Sequence, residues 1–128
     1  KIYLAVSNDG ENWERYGEEP ILFDETPTQS QRILGDPQIL TMDDLYVMVY
    51  FVYDHQKNTA FNTFACSYDL INWTKWQDEK LIESQFEWED KFAHKPWIVV
   101  KDGVVYHYYC AVNSKGERFI AVATSKEI

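Results

Sequence analysis

The chain has 128 residues, 45% of them apolar and 26% charged, the balance of a folded globular protein rather than a disordered segment. Its formal net charge of −9 argues against a phosphate-backbone partner, so no nucleic acid is expected and the charge reads as solubility. No stretch approaches the roughly 18 apolar residues of a membrane-spanning helix, so no membrane partner is expected either.

In chain order, Ala5-Val6-Ser7 opens as the end of a strand, and Ile21-Leu22 reads as a short outer strand. Asp36-Pro37 then leads into Ile39-Leu40, with Asp43-Asp44 as a turn before Leu45–Tyr53, a continuous β-branched and aromatic run expected to be buried on both faces. Asn62–Ser67 is a third strand and Leu81-Ile82 a second short outer one. Ile98–Lys101, Asp102-Gly103 and Val104–Val112 form a hairpin signal, because Asp-Gly supplies the positive φ of a tight turn. Val104–Val112 is the counterpart of Leu45–Tyr53, and Phe119–Ser125 is a last third strand. Prolines at 20, 27, 37 and 96 fall where strands begin or loops run, and nothing reads as a helix. The expectation is nine strands in antiparallel meanders. Cys66 and Cys110, each within an apolar strand, are expected to be buried free thiols.

Two landmarks recur. Ala5-Val6-Ser7-Asn8-Asp9-Gly10 returns as Ala65-Cys66-Ser67-Tyr68-Asp69-Leu70 and again as Ala123-Thr124-Ser125-Lys126-Glu127-Ile128, with Asn12-Trp13 returning as Asn72-Trp73. Independently, Asp36-Pro37-x-Ile39-Leu40 returns as Lys95-Pro96-x-Ile98-Val99, a shift of 59. A period near sixty with about four strands fits one blade of a β-propeller, whereas a β-helix coil is shorter and a β-sandwich would not repeat its landmarks. The fold class is therefore all-β, built of four-stranded antiparallel blades. The end of one blade is assigned to residues 1–30, a full blade to 31–88 and most of a third to 89–128. The sequence starts and stops within a repeat, so the remaining blades, or self-association through exposed blade faces, are the expected partners.

The phrases Ala5-Val6-Ser7-x-Asp9-Gly10-x-x-Trp13, Gly35-Asp36-Pro37-Gln38-Ile39 and Ala93-His94-Lys95-Pro96-Trp97-Ile98 resemble the five-bladed propeller glycoside hydrolases, the broad group around family 43 and its relatives. The resemblance covers the whole sequence but only about half of a five-bladed domain. It implies hydrolysis of glycosidic bonds in a polysaccharide or oligosaccharide, a carbohydrate substrate, and a secreted or periplasmic location. It also implies acidic residues at the start of the innermost strands, where two groups can flank a sugar's anomeric centre. Asp36 matches the aspartate of the "DP" phrase. His94 falls near the position of a glutamate acid and is the candidate proton donor, while Lys95 departs from the family by standing where an acid belongs.

Glu87, Glu89 and Asp90 are rival carboxylates; His107, mid-strand, reads as a satisfied core residue, and His55 carries no signal. Trp97 and Trp88, with Phe92, are candidates for a sugar-stacking platform, and Arg32 is placed four residues before Asp36 as a further substrate contact. No transition-metal spacing is present and no cofactor is expected; calcium is allowed by the resemblance alone. In isolation these 128 residues are expected to lack activity, since one recognisable carboxylate is not a complete site. The alternatives are a non-catalytic carbohydrate-binding propeller, which Lys95 favours, and a structural or interaction propeller.

Overall fold

The computed structural model describes residues 1–127; Ile128, which ends the third copy of the repeated phrase, lies outside the described residues. Nine strands follow in order: β1 (Ala5–Val6), β2 (Glu14–Arg15), β3 (Ile33–Met42), β4 (Leu45–Asp54), β5 (Thr59–Ser67), β6 (Thr74–Lys75), β7 (Phe92–Lys101), β8 (Val104–Val112) and β9 (Arg118–Thr124). Two short 3₁₀ turns, Thr28–Ser30 and Glu87–Glu89, are the only helical segments among the described residues.

The strands run as antiparallel meanders, β3-β4-β5-β6 and β7-β8-β9, with β1-β2 a separate pair. One departure from antiparallel pairing occurs where the meanders meet: a single parallel bridge, Ala60 to Phe92, joins β5 to the start of β7. The expected outer strands at Ile21-Leu22 and Leu81-Ile82 contract to single bridges, Ile2 with Leu22 and Asn62 with Ile82. Both hairpins turn as their sequences dictate. Asp102 and Gly103 take φ of 52° and 75°, and Asp43 takes 54°.

The repeated Ser-x-Asp-x-x-Asn-Trp phrase is a self-satisfied turn. In the second copy Ser67 Oγ accepts from the Asp69 and Leu70 N–H groups, and Asp69 accepts from the N–H groups of Ile71 and Asn72 and from the Asn72 side chain. Trp73 Nε1 closes it by donating to the Leu70 carbonyl at 3.0 Å. The first copy repeats this from Ser7 to Trp13. Hydrogen bonds from Asn12 and Asn72 hold the Asp9 and Asp69 carboxyls well below the usual carboxylate range.

Two cores sit at the two junctions. The larger, between the N-terminal segment and β3–β5, holds Ile2, Leu22, Leu34, Met48, Tyr50, Val52, Phe61 and Ala65, with Ile21 and Trp73 packed on it. The smaller, between β5 and β7–β9, is Ala93, Tyr109 and Ala111 with Ile82 and Ala121. Alanine at 60, 65, 93 and 111, each at most 1% exposed, lets neighbouring sheets approach closely. β4 is buried at its centre as expected. β8 is not buried on both faces: Tyr108 is 40% exposed, and Ile120 and Val122 on the adjoining β9 are 79% and 50% exposed. Alternation along β8 points His107, Tyr109 and Ala111 at the core and Tyr108 away from it.

Candidate functional site

The innermost strands of both meanders, β3 and β7, carry the same irregularity at the same repeat position. The β3–β4 register slips between Gly35 and Gln38, and the β7–β8 register slips between His94 and Trp97. The residues left out of the ladder are Asp36-Pro37 and Lys95-Pro96. Asp36 has φ 48° and Lys95 has φ 52°, the left-handed region that non-glycine residues seldom occupy. Proline explains the slip in part, because it has no N–H to give the ladder. A bulge of this kind re-aims its side chain, and both Asp36 and Lys95 are exposed.

Gly35 precedes the first bulge for a steric reason. A Cβ there would lie 2.9 Å from two ring carbons of Phe51, its ladder partner, so only glycine lets that ring lie across β3. Phe51 in turn meets His94 edge-on, with ring centres 5.6 Å apart at 78°. Phe92 lies 5.4 Å from His94 and 5.8 Å from Tyr53. Ile33, Phe51, Tyr53, Phe92, His94 and Lys95 together line a shallow, mostly apolar recess between the two bulged strands.

The strands are tied across this gap by Gln38, the residue after Pro37. Its Nε2 donates to the Ile98 carbonyl at 2.9 Å, and its Oε1 accepts from the Ile98 N–H at 2.6 Å. Among the described residues β7 has no hydrogen-bonded strand on that side beyond the single bridge at Phe92, so the Gln38 side chain satisfies part of that strand edge.

His94 is 9% exposed, and its Nδ1 donates to the Cys110 carbonyl at 3.1 Å, since a carbonyl can only accept. That leaves Nε2 as the unprotonated acceptor of the neutral ring. Burial lowers the pKa of His94, the Cys110 bond opposes this, the charges of Lys95 and Arg118 add to the lowering, and the charge of Asp36 raises it. The balance is downward, so at neutral pH the imidazole is uncharged and has no proton on Nε2 to give.

The other candidate residues fall elsewhere. Arg32 is occupied: it pairs with Asp24 Oδ1 at 3.1 Å and with Glu79 at 2.5 Å, and its backbone N–H also donates to Asp24. It lines a separate recess with Leu34, Tyr50 and Thr63, outside the lining of the recess beside His94. Asp24 is 3% exposed; burial works against its charge, but hydrogen bonds from Arg32 and Thr26 win and hold its carboxyl well below the usual range.

The three aromatics expected to form one platform are not assembled as one. Phe92 lines the recess beside His94, Trp88 stacks on Phe86 beside a different recess, and Trp97 is 58% exposed opposite Tyr108 in the ladder. Among the rival carboxylates, Glu89 is 1% exposed and accepts the Tyr109 hydroxyl at 2.9 Å, an anchor rather than an acid at a surface. Asp90 holds the Ser114 hydroxyl and N–H, and Glu87 is exposed.

His107 is 5% exposed with Nε2 3.3 Å from the Asn62 side-chain nitrogen, a cross-sheet contact in the core, and His55 is exposed in the β4–β5 turn. Cys66 and Cys110 are free but half-buried rather than buried. Among the described residues no group of three or more His, Cys, Asp or Glu side chains is placed to hold a metal ion. Gln38, Gly35 and the recess residues Ile33, Phe51 and Tyr53 are the members of the site that residue chemistry alone did not mark.

Residues 1–93 match the family described as "Glycosyl hydrolases family 32 N-terminal domain". The protein belongs to this family. Membership narrows the resemblance from the wider group around family 43 to family 32; the first bulge lies within the matched span and the second just beyond its end. No curated protein matches the sequence.

Among solved structures, one described as "Glycoside hydrolase" and one described as a complex of BT0996 and RGII each share 46% identity over 97% of the chain, with a TM-score of 0.86. The chain spans 35% of the length of each. A Bombyx mori GH32 β-fructofuranosidase, BmSUC1, superposes over 97% of the chain and 27% of its own with a TM-score of 0.76 at 22% identity, a likeness of fold. The matched part of the family 32 domain is thus folded as linked propeller meanders, and carbohydrate is what the BT0996 complex and a sucrose complex of BmSUC1 hold.

Proposed function

We propose that this family 32 chain contributes one part of a glycoside hydrolase site, at the bulged ends of β3 and β7, in a protein that cleaves glycosidic bonds of an oligosaccharide or polysaccharide. The observation that carries the reading is the pair of matching bulges, which leave Asp36 and Lys95 out of their ladders, with Lys95 in the lining of an aromatic recess and Asp36 near enough for its charge to act on His94. In this reading the Asp36 carboxylate stabilises positive charge developing at the anomeric carbon. His94 exchanges a proton with a substrate hydroxyl or with water through Nε2, acting as an acid only after it has been charged. Lys95 and Trp97 bind substrate at the rim, the ammonium donating to hydroxyls and the indole stacking on a ring face. The 46% identity to the protein of the BT0996 complex makes an RGII saccharide the first substrate to try.

The test is turnover by the protein and by Asp36→Asn and His94→Ala variants of retained fold. Loss of at least about 100-fold in kcat for either, the usual scale of an acid–base or electrostatic group, supports the assignment. Unchanged kinetics in both overturns it. A non-catalytic carbohydrate-binding propeller is the second reading, favoured by Lys95 at an acid's position and by the downward shift of His94. Saccharide binding without turnover of any glycoside would select it.

A further inference from the structure

We infer that the exposed Phe86–Trp88 stack is a second saccharide-binding surface, built for a neutral sugar residue and separate from the recess beside His94. The inference rests on the carbohydrate reading above, and extends it to a site with its own lining.

Phe86 and Trp88 stack with ring centres 5.4 Å apart and planes 8° from parallel, yet they are 55% and 40% exposed. Two large aromatic faces left in water, at a cost of about 25 cal/mol per Å² of apolar surface, are unusual in a turn with no core to fill. The turn is held stiffly. Glu89 is buried to 1% exposure, with one oxygen on the Tyr109 hydroxyl at 2.9 Å and the other on the Gln85 N–H at 3.3 Å. Asp90 grips the Ser114 N–H and hydroxyl at 2.7 and 2.6 Å, which latches this turn to the β8–β9 turn. A buried glutamate that anchors an exposed aromatic pair is a display device, since it fixes ring orientation before any ligand arrives.

Between the latched turns lies a recess lined by Glu87, Trp88, Asp90, Asn113, Ser114 and Lys115. Phe86 is not in that lining; it backs the indole. Asp90, Ser114 and Asn113 are engaged with one another or with Glu117. The Glu87 and Lys115 side chains make no hydrogen bond or ion pair among the described residues, which leaves one acceptor group and one donor group beside the indole. Sugar hydroxyls can satisfy both, while a C–H-rich ring face covers the indole. The carboxylates of Glu87, Asp90 and Glu117 outnumber the Lys115 ammonium, so a uronate would be repelled and a neutral sugar favoured.

Ladder pairing puts this recess at the same end of the sheet as His94. Phe92 pairs with Val112, and Lys91 N–H donates to the Val112 carbonyl, so the start of β7 and the β8–β9 turn are neighbours. A saccharide with one residue in the His94 recess therefore continues toward Trp88.

The test uses the protein with neutral arabinan- and galactan-derived pentasaccharides and oligogalacturonate of the same length. Trp88→Ala is expected to weaken neutral pentasaccharide binding about three- to tenfold, the range of one aromatic contact, while Trp88→Phe retains most of it. Oligogalacturonate should bind more weakly than either neutral probe. In the unliganded protein, acrylamide should quench a fluorescence component that disappears in Trp88→Phe. Binding unchanged by Trp88→Ala, preference for the uronate, shielding of Trp88 from acrylamide, or no binding of any probe each overturns the inference. Trp88-dependent binding by a protein that hydrolyses no glycoside supports it and removes the hydrolase reading instead. Turnover lost in Asp36→Asn but with KM untouched by Trp88→Ala removes it and leaves the hydrolase reading standing.

Discussion

Gln38→Ala should loosen the two innermost strands from each other without disturbing either one alone. The side chain makes two hydrogen bonds, both to the backbone of Ile98, at 2.9 and 2.6 Å. A neutral hydrogen bond contributes a net ~0.5–1.5 kcal/mol, so the pair sets a range of about 1–3 kcal/mol. Ile98 is half-buried, so water partly replaces the lost partner and the expected loss lies in the lower half of that range, about 1–2 kcal/mol. In a protein of this size that corresponds to a Tm lower by about 3–8 °C. Urea unfolding followed by tryptophan fluorescence reads it as a lower midpoint with unchanged slope. Gln38→Glu separates the two bonds. It keeps the acceptor for the Ile98 N–H but sets a carboxylate against the Ile98 carbonyl, so relative to wild type it should cost more at pH 7 than at pH 4. A loss below about 0.5 kcal/mol for Gln38→Ala, within the range of an ordinary surface change, would refute the claim that this side chain joins the strands.

Gly35→Ala should cost about 1–3 kcal/mol as an overpacking change and should shift the ring signals of Phe51 and His94 in NMR spectra; an unmoved His94 signal would show that the ring has another place to go. Asp24→Asn leaves Arg32 paired with Glu79 alone and should destabilise by about 1.5–3 kcal/mol at pH 7, the scale of hydrogen bonds to a charged group rather than of a buried charge left uncompensated. Because the folded Asp24 carboxyl titrates below its unfolded value near 3.9, its contribution is present above that value and lost as pH falls below it; Asp24→Asn should therefore flatten the acid limb of a urea-midpoint profile. Burial lowers the pKa of His107, so stability should fall as pH drops below about 6.5, where the unfolded state binds the proton first; a His107→Gln profile as steep as wild type between pH 7 and 5 would count against that.

The period of the chain was legible because its landmarks are chemical. Ser67, Asp69, Asn72 and Trp73 must all be present for the turn to satisfy itself, so the phrase recurs with its spacing intact. Strand positions followed from β-branched and aromatic runs, and the Asp102-Gly103 hairpin from its φ requirement. Asp36 and Lys95 were visible because proline marks the bulge after them. What stayed hidden depended on contacts between repeats. Arg32 looks free until Asp24, eight residues earlier, and Glu79, far along the chain, fold onto it. Glu89 carries the same carboxyl as a catalytic acid, and only its burial against Tyr109 distinguishes it. Gln38 reaches Ile98 60 positions away, and a glutamine at a strand start gives no sign of such a partner. One signal was available for it: Gln38 and Trp97 hold the same repeat position, and a polar side chain where the other copy has an indole marks a local demand for hydrogen bonding.

The twin bulges separate place from chemistry. At each one the proline and the skipped ladder position fix where the side chain stands, and the left-handed backbone there is nearly the same for an aspartate at 48° and a lysine at 52°. Each innermost strand therefore offers a socket whose occupant can be exchanged while its position is kept. Charge can be inverted at such a socket by changing one residue, with the strand, the proline and the blade behind it left as they were. A ring built from these units can alter what it attracts one position at a time, which makes the backbone conservative and the rim adaptable.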